Sequence, residues 1–171
     1  MSKLKTAVRG RIGRMVAIGA TLVGVSLSGL AVAPAQAVTD MQVSLTMGFV
    51  PAGVVNPSDP EGTLAQWTVF IPTDSGWGYL YNGGSVTVDC YGDDPGTDTR
   101  LLHVVHTMNT PVQTLWADDS GIHLHGWYGA DRGTLFNEDT DGIDEIYCKM
   151  TWRDGDGGTI TRTTATWRAN F

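Results

Sequence analysis

Three sets of residues in this sequence have the types and spacing to do chemistry. His123 and His125 stand at i, i+2, with Trp127 two residues further on. In an extended chain that spacing puts both imidazoles and the indole on one face, opposite Ile122 and Leu124. Two imidazoles so placed can reach one copper or zinc ion. Beside an exposed indole they can also stack on a sugar and hydrogen-bond to it. Ligand count weakens the metal reading. The remaining histidines, His103 and His106, are i, i+3 on a strand-like segment and face opposite sides.

The second set is the acidic stretch from Asn137 to Glu145, Asn-Glu-Asp-Thr-Asp-Gly-Ile-Asp-Glu. Oxygen ligands at alternate positions around a sharp glycine turn are what a calcium loop requires. Asn137, Asp139, Asp141 and Asp144 are the candidate ligands. The place where an EF-hand has its bidentate Glu is taken by Cys148, and the flanks read as strands. The expectation is therefore a looser calcium-stabilised turn, against the plainer reading of a solvated hairpin turn. Calcium is the one cofactor the sequence points to.

The third set is the two cysteines. Ile146, Cys148, Met150 and Trp152 alternate with Tyr147, Lys149 and Thr151, while Val86, Val88 and Cys90 alternate with Ser85, Thr87, Asp89 and Tyr91. Both sulfurs fall on the apolar side of a half-buried strand. In an exported chain two such thiols are expected to form a structural disulfide, Cys90–Cys148, and a catalytic thiolate is not expected. No Ser-His-Asp, Cys-His or zinc-protease motif stands out, and no glycine-rich phosphate loop precedes a helix. Asp93 with Asp94, and Asp118 with Asp119, read as turn residues. Eighteen acidic residues make some carboxylate pair inevitable, so a glycosidase-like dyad has no identifiable place.

Export is read from the N-terminus. Lys3, Lys5, Arg9, Arg11 and Arg14 form a basic region, Met15 to Val32 an apolar run, and Ala35-Gln36-Ala37 a small-x-small cleavage site. Residues 1–37 are thus expected to be a secretory signal peptide, leaving 134 residues, 38–171, as one extracellular domain. Of the 11 Lys+Arg, five lie in this leader, which holds none of the 18 Asp+Glu; the remainder carries a net charge of −12. Such a surface repels nucleic acid and anionic lipid, so neither is an expected partner. A glycan or a component of the cell envelope is.

The elements that must position these residues are short and extended. Met41 to Phe49 alternates cleanly; Pro51 to Gly62 is rich in breakers; Trp67, Val69 and Ile71 share a face. Gly78 to Tyr81 and Ser85 to Tyr91 flank Asn82-Gly83-Gly84, a hairpin-turn signal that puts Trp77, Tyr79 and Tyr81 in an alternating stripe. Arg100 to Thr107, apolar on both sides, reads as a central strand or a short helix, with Val105, Thr107 and Val112 favouring the strand. Val112 to Trp116, Ile122 to Tyr128, Thr134-Leu-Phe and the Cys148 segment follow, and a last strand sets Thr161, Thr163, Ala165, Trp167, Ala169 and Phe171 on one face. Trp67, Trp152 and Trp167 are expected in the core, Tyr91 and Tyr147 outside it. Nine or ten strands without a convincing helix predict an all-β, antiparallel β-sandwich, immunoglobulin-like or jelly-roll-like, with a β-barrel as second choice.

Two local resemblances bear on that expectation. Gly121-Ile-His-Leu-His, with Gly129 and Asp131 beyond, resembles the Gly-x-His-x-His segment of copper/zinc superoxide dismutases over about ten residues. That family's later histidine ligands have no counterpart after His125. Two cysteines joining strands, with a tyrosine near the second, resemble immunoglobulin-like domains. Here Tyr147 adjoins Cys148 instead of lying two before it, and Trp116 is further from Cys90 than that fold's core tryptophan. The functional expectation is a secreted, non-catalytic binding or cell-surface interaction module with a glycan-facing patch at His123, His125 and Trp127. A calcium-stabilised structural domain and a small secreted hydrolase are the alternatives.

Overall fold

The structure is a computed structural model that describes residues 38, 40–53, 61–94, 96–110, 114–131, 135–136 and 143–170. The leader 1–37 and the calcium-loop residues Asn137, Asp139 and Asp141 lie outside the described residues. Nine strands and one short helix occur among them, in the order β1 (Gln42–Val50), β2 (Gly62–Pro72), α1 (Gly76–Tyr81), β3 (Ser85–Gly92), β4 (Arg100–Thr107), β5 (Thr114–Asp118), β6 (Gly121–Asp131), β7 (Asp144–Arg153), β8 (Thr159–Thr163) and β9 (Trp167–Ala169).

The strands make two antiparallel sheets. The first runs β1-β2-β6-β5; the second runs β4-β3-β7-β8, with β9 also paired to β7. In both, the period-two pattern decides which side chains point inward. On β2, Thr63, Ala65, Trp67, Val69 and Ile71 are all buried; on β3, Val86, Val88 and Cys90 are fully so. All of these but the polar Thr63 join Leu115, Ala117, Ile122, Leu124, Met150 and Trp152 in one apolar core. The architecture is all-β, as the alternation predicts.

The two cysteines meet inside one sheet. Cys90 and Cys148 are direct cross-strand partners on β3 and β7, joined by a disulfide with Cα atoms 4.0 Å apart. Local hydrogen bonding accounts for the pairing. The Cys148 N–H donates to Thr164 Oγ1 at 3.0 Å, and its carbonyl accepts from the Thr164 N–H at 2.9 Å. With its backbone turned toward Thr164, Cys148 faces Cys90 as a non-hydrogen-bonded pair, the narrow kind in which side chains approach closest. An immunoglobulin domain instead ties its two sheets together, so that resemblance fails at the disulfide.

Three local expectations are corrected. Residues Gly76–Tyr81 form a helix, and not the first strand of a hairpin. Gly76, Tyr79 and Leu80 are buried on one side of it, while Trp77 and Tyr81 are exposed at i, i+4 and stack with centroids 5.9 Å apart. Read as a strand, those aromatics share a face with Tyr79; the helical period separates them. The last expected strand is broken at Thr164–Thr166 into β8 and β9, and Trp167 emerges exposed. Where the break begins, the Thr164 hydroxyl oxygen accepts from the Cys148 N–H in the place a backbone carbonyl would take in a ladder. Arg100–Thr107 is a strand, the favoured reading, but it lies at the edge of its sheet and not at the centre.

Candidate functional site

The outer face of the first sheet is ruled into cross-strand rows by its register. One row reads Ser44, Thr68, His125 and Thr114; the next reads Gln42, Phe70, His123 and Trp116; on the other side Thr46 and Gln66 lead to Trp127. The sequence-derived trio of His123, His125 and Trp127 therefore stands on one strand face, with hydroxyls and an amide as neighbours. Trp127 is 47% exposed. Gln66, Thr68, Thr114, His125 and Trp127 line a surface hollow of about 320 Å³ floored by Trp67 and Gly126.

The floor explains the shape of the hollow. Trp67 is buried in the core, and a Cβ on Gly126 would lie 2.0 Å from its Nε1. Only glycine leaves room for the indole at this point on β6. Trp67 Nε1 donates to His106 Nε2 at 3.2 Å across the core, from one sheet to the other. The receiving nitrogen must be unprotonated, so neutral His106 carries its proton on Nδ1, a buried atom with no hydrogen-bond partner among the described residues. Desolvation alone lowers the His106 pKa to about 4.

His123 is held more tightly than His125. Its ring stacks on Trp116 at 5.0 Å between centroids and tilts against Phe70 at 5.0 Å. Trp116 meets His125 edge-on at 5.2 Å. His123 Nε2 lies 3.1 Å from Asp118 Oδ1 and 3.1 Å from Ser120 Oγ, and the Ser120 hydroxyl donates to Asp118 Oδ1 at 2.6 Å. The Ser120 hydroxyl, then its backbone N–H, then His123 hold the Asp118 carboxyl well below the usual carboxylate range. Serine, histidine and aspartate thus converge, yet not as a catalytic triad. A triad uses the two ring nitrogens separately, one toward serine and one toward the carboxylate. Here both partners crowd the same nitrogen, and the cluster fastens the β5–β6 turn.

The sequence reading missed this cluster, although Asp-x-Ser at a hairpin tip is the signal of an Asx turn. The described residues contain no group of three or more His, Cys, Asp or Glu able to hold a metal. Of the proposed calcium ligands only Asp144 is described; it is buried at the start of β7. His103 and His106 do face opposite sides of β4. His103 Nδ1 lies 2.6 Å from Asp89 on the solvent side of the second sheet, and His106 is in the core.

The outward tyrosines of the second sheet do not form an open platform. Tyr91 and Tyr147 stack at 5.5 Å, Lys149 Nζ lies 4.7 Å over the first ring, and the Tyr147 hydroxyl donates to Asp98. Tyr147 is only 7% exposed, and its pKa is raised by burial and then by the Asp98 bond. Among the described residues, open aromatic surface lies on the first sheet, on α1 and at Trp167 of β9.

No protein-family model and no curated protein sequence matches this chain. Solved structures similar to it include the following two. A crystal structure of an ApaA protein from Bordetella pertussis is 18% identical, with a TM-score of 0.40, over 77% of this chain and 94% of that one. An X-ray structure of the structural genomics target SoR45 is 10% identical, with a TM-score of 0.36, over 75% and 84% of the two chains.

Proposed function

We propose that this chain is an exported, non-catalytic β-sandwich, jelly-roll-like or immunoglobulin-like in kind, that binds a glycan on the outer face of its first sheet. One observation carries the reading: the exposed Trp127 indole stands beside Gln66, Thr68, Thr114 and His125 around one open hollow. An aromatic face takes up the apolar C–H side of a sugar ring, while hydroxyl, amide and imidazole groups satisfy its hydroxyls. The hollow is lined by amide, hydroxyl, indole and imidazole groups, partners that hydroxyl-rich ligands require. The Ser120–His123–Asp118 cluster has the wrong nitrogen arrangement for acyl transfer, which supports the non-catalytic reading.

A polysaccharide pull-down tests the proposal directly. Retention on at least one cell-wall-type polymer is expected, and Trp127→Ala should weaken it about tenfold, the scale of one aromatic contact. Absence of retention, or retention indifferent to Trp127→Ala, overturns the proposal.

A further inference from the structure

The candidate site does not end at Trp127. At the far end of β5, Trp77, Ala117, Asp118, Asp119 and Ser120 line a second open hollow of about 510 Å³. Its rim carries the exposed, stacked pair Trp77 and Tyr81. Thr114 belongs to the first hollow and Asp118 to the second, so the two are separated by four residues of strand, roughly 13 Å. Trp116 and the stacked His123 stand between them. Asp118 is the joint: its carboxylate touches His123 on one side and lines the second hollow on the other.

Among the described residues, the lysine, arginine and carboxylate charge on the first sheet and on α1 has one sign. No lysine or arginine occurs in β1, β2, α1, β5 or β6. Arg100, Lys149, Arg153, Arg162 and Arg168 all lie on strands of the second sheet; Arg132, after β6, is outside the described residues. Asp118 and Asp119 are exposed at the second hollow; Asp118 meets His123, and no lysine or arginine of the described strands of the first sheet stands beside either. A ligand with phosphate, sulfate or carboxylate groups is repelled here, while a ligand with ammonium groups is attracted.

Resting on the glycan reading above, we propose that the ligand is a linear oligosaccharide bearing free amino groups, which runs along β5 from the Trp127 hollow to the Trp77 hollow. A single monosaccharide does not span the separation; a chain of several does. The aromatic rings at each end take sugar faces, and Asp118 and Asp119 receive an ammonium group. The charge asymmetry commits the site to an amino sugar over its neutral or acidic counterparts.

Titration of the full exported chain with glucosamine oligomers and with the same oligomers N-acetylated separates the claims. The amine form should bind tighter, with an advantage that shrinks as salt rises. Asp119→Asn should reduce that advantage about two- to fivefold, the range of an exposed ion pair. Trp77→Ala should weaken long oligomers and leave the shortest unaffected. Asp119 and Trp77 are exposed, and unchanged melting temperatures verify that both variants fold. Equal affinity for the two forms, or an amine advantage untouched by Asp119→Asn, overturns the inference. If binding of N-acetylated oligomers nevertheless depends on Trp127, the glycan reading stands alone. If neither form binds, the glycan reading falls first and takes this one with it.

Discussion

At the residue scale, the glycine at 126 is the position on which the candidate site most depends. The buried Trp67–His106 bond ties the two sheets together, and Trp67 has its place only because β6 offers no Cβ there. Gly126→Ala drives a methyl group into the indole ring. The core must then shift, at a cost of about 2–3 kcal/mol for overpacking. Urea denaturation should show a lower midpoint with an unchanged slope. A glycine between two outward groups is what the sequence displays; the tryptophan beneath it comes from another strand and is invisible there. His123 was legible as an outward residue by parity. Its bonds to Asp118 and Ser120 were not, because they depend on how tightly the β5–β6 turn closes.

At the element scale, β7 is the organising strand of the second sheet. It pairs β3 on one side and both β8 and β9 on the other. The Cys90–Cys148 bond closes a segment with a sequence separation of 58, worth about 4 kcal/mol on chain-entropy grounds. The backbone ladder between β3 and β7 spans eight residue pairs and does not need the sulfurs to set its register. Replacing both cysteines by alanine should therefore lower stability by roughly 2–4 kcal/mol in denaturant titrations while the far-ultraviolet circular dichroism stays that of a β protein. Alternation gave the inward direction of both cysteines. It could not give their direct opposition within one sheet, since that requires knowing which strands are neighbours. The helix α1 escaped for a related reason: six residues are too few for a period of 3.6 to outweigh a period of two.

At the scale of the whole molecule, the buried His106 couples acid to global stability. Its folded pKa is lowered to about 4, against an ordinary value near 6.5. Between those values the unfolded chain takes up a proton that the folded chain refuses, so stability falls as pH falls through that window. The full span of the shift corresponds to about 3 kcal/mol, reached near pH 4 and absent above about pH 7. Melting temperatures measured at pH 7 and pH 4.5 should drop more for the native chain than for His106→Gln, which lacks the titrating ring. An equal drop in both would show that other groups carry the acid sensitivity. The same global view separates charge by sheet. The described cations gather on the second sheet and leave the first to neutral and acidic groups.

What the sequence determined by itself depends on a residue's near neighbours along the chain: most of the extended segments, the inward and outward faces of those strands, the apolar side of each cysteine, and the outward trio of His123, His125 and Trp127. Those follow from a side-chain period of two, which is local. What only the tertiary structure decided is which strands lie side by side. That choice put Cys90 against Cys148, Trp67 under Gly126, His106 against Trp67, and the Trp77 hollow at the end of β5. Pairings between distant segments are set by the closure of one shared core, a property of the whole chain and of no stretch within it.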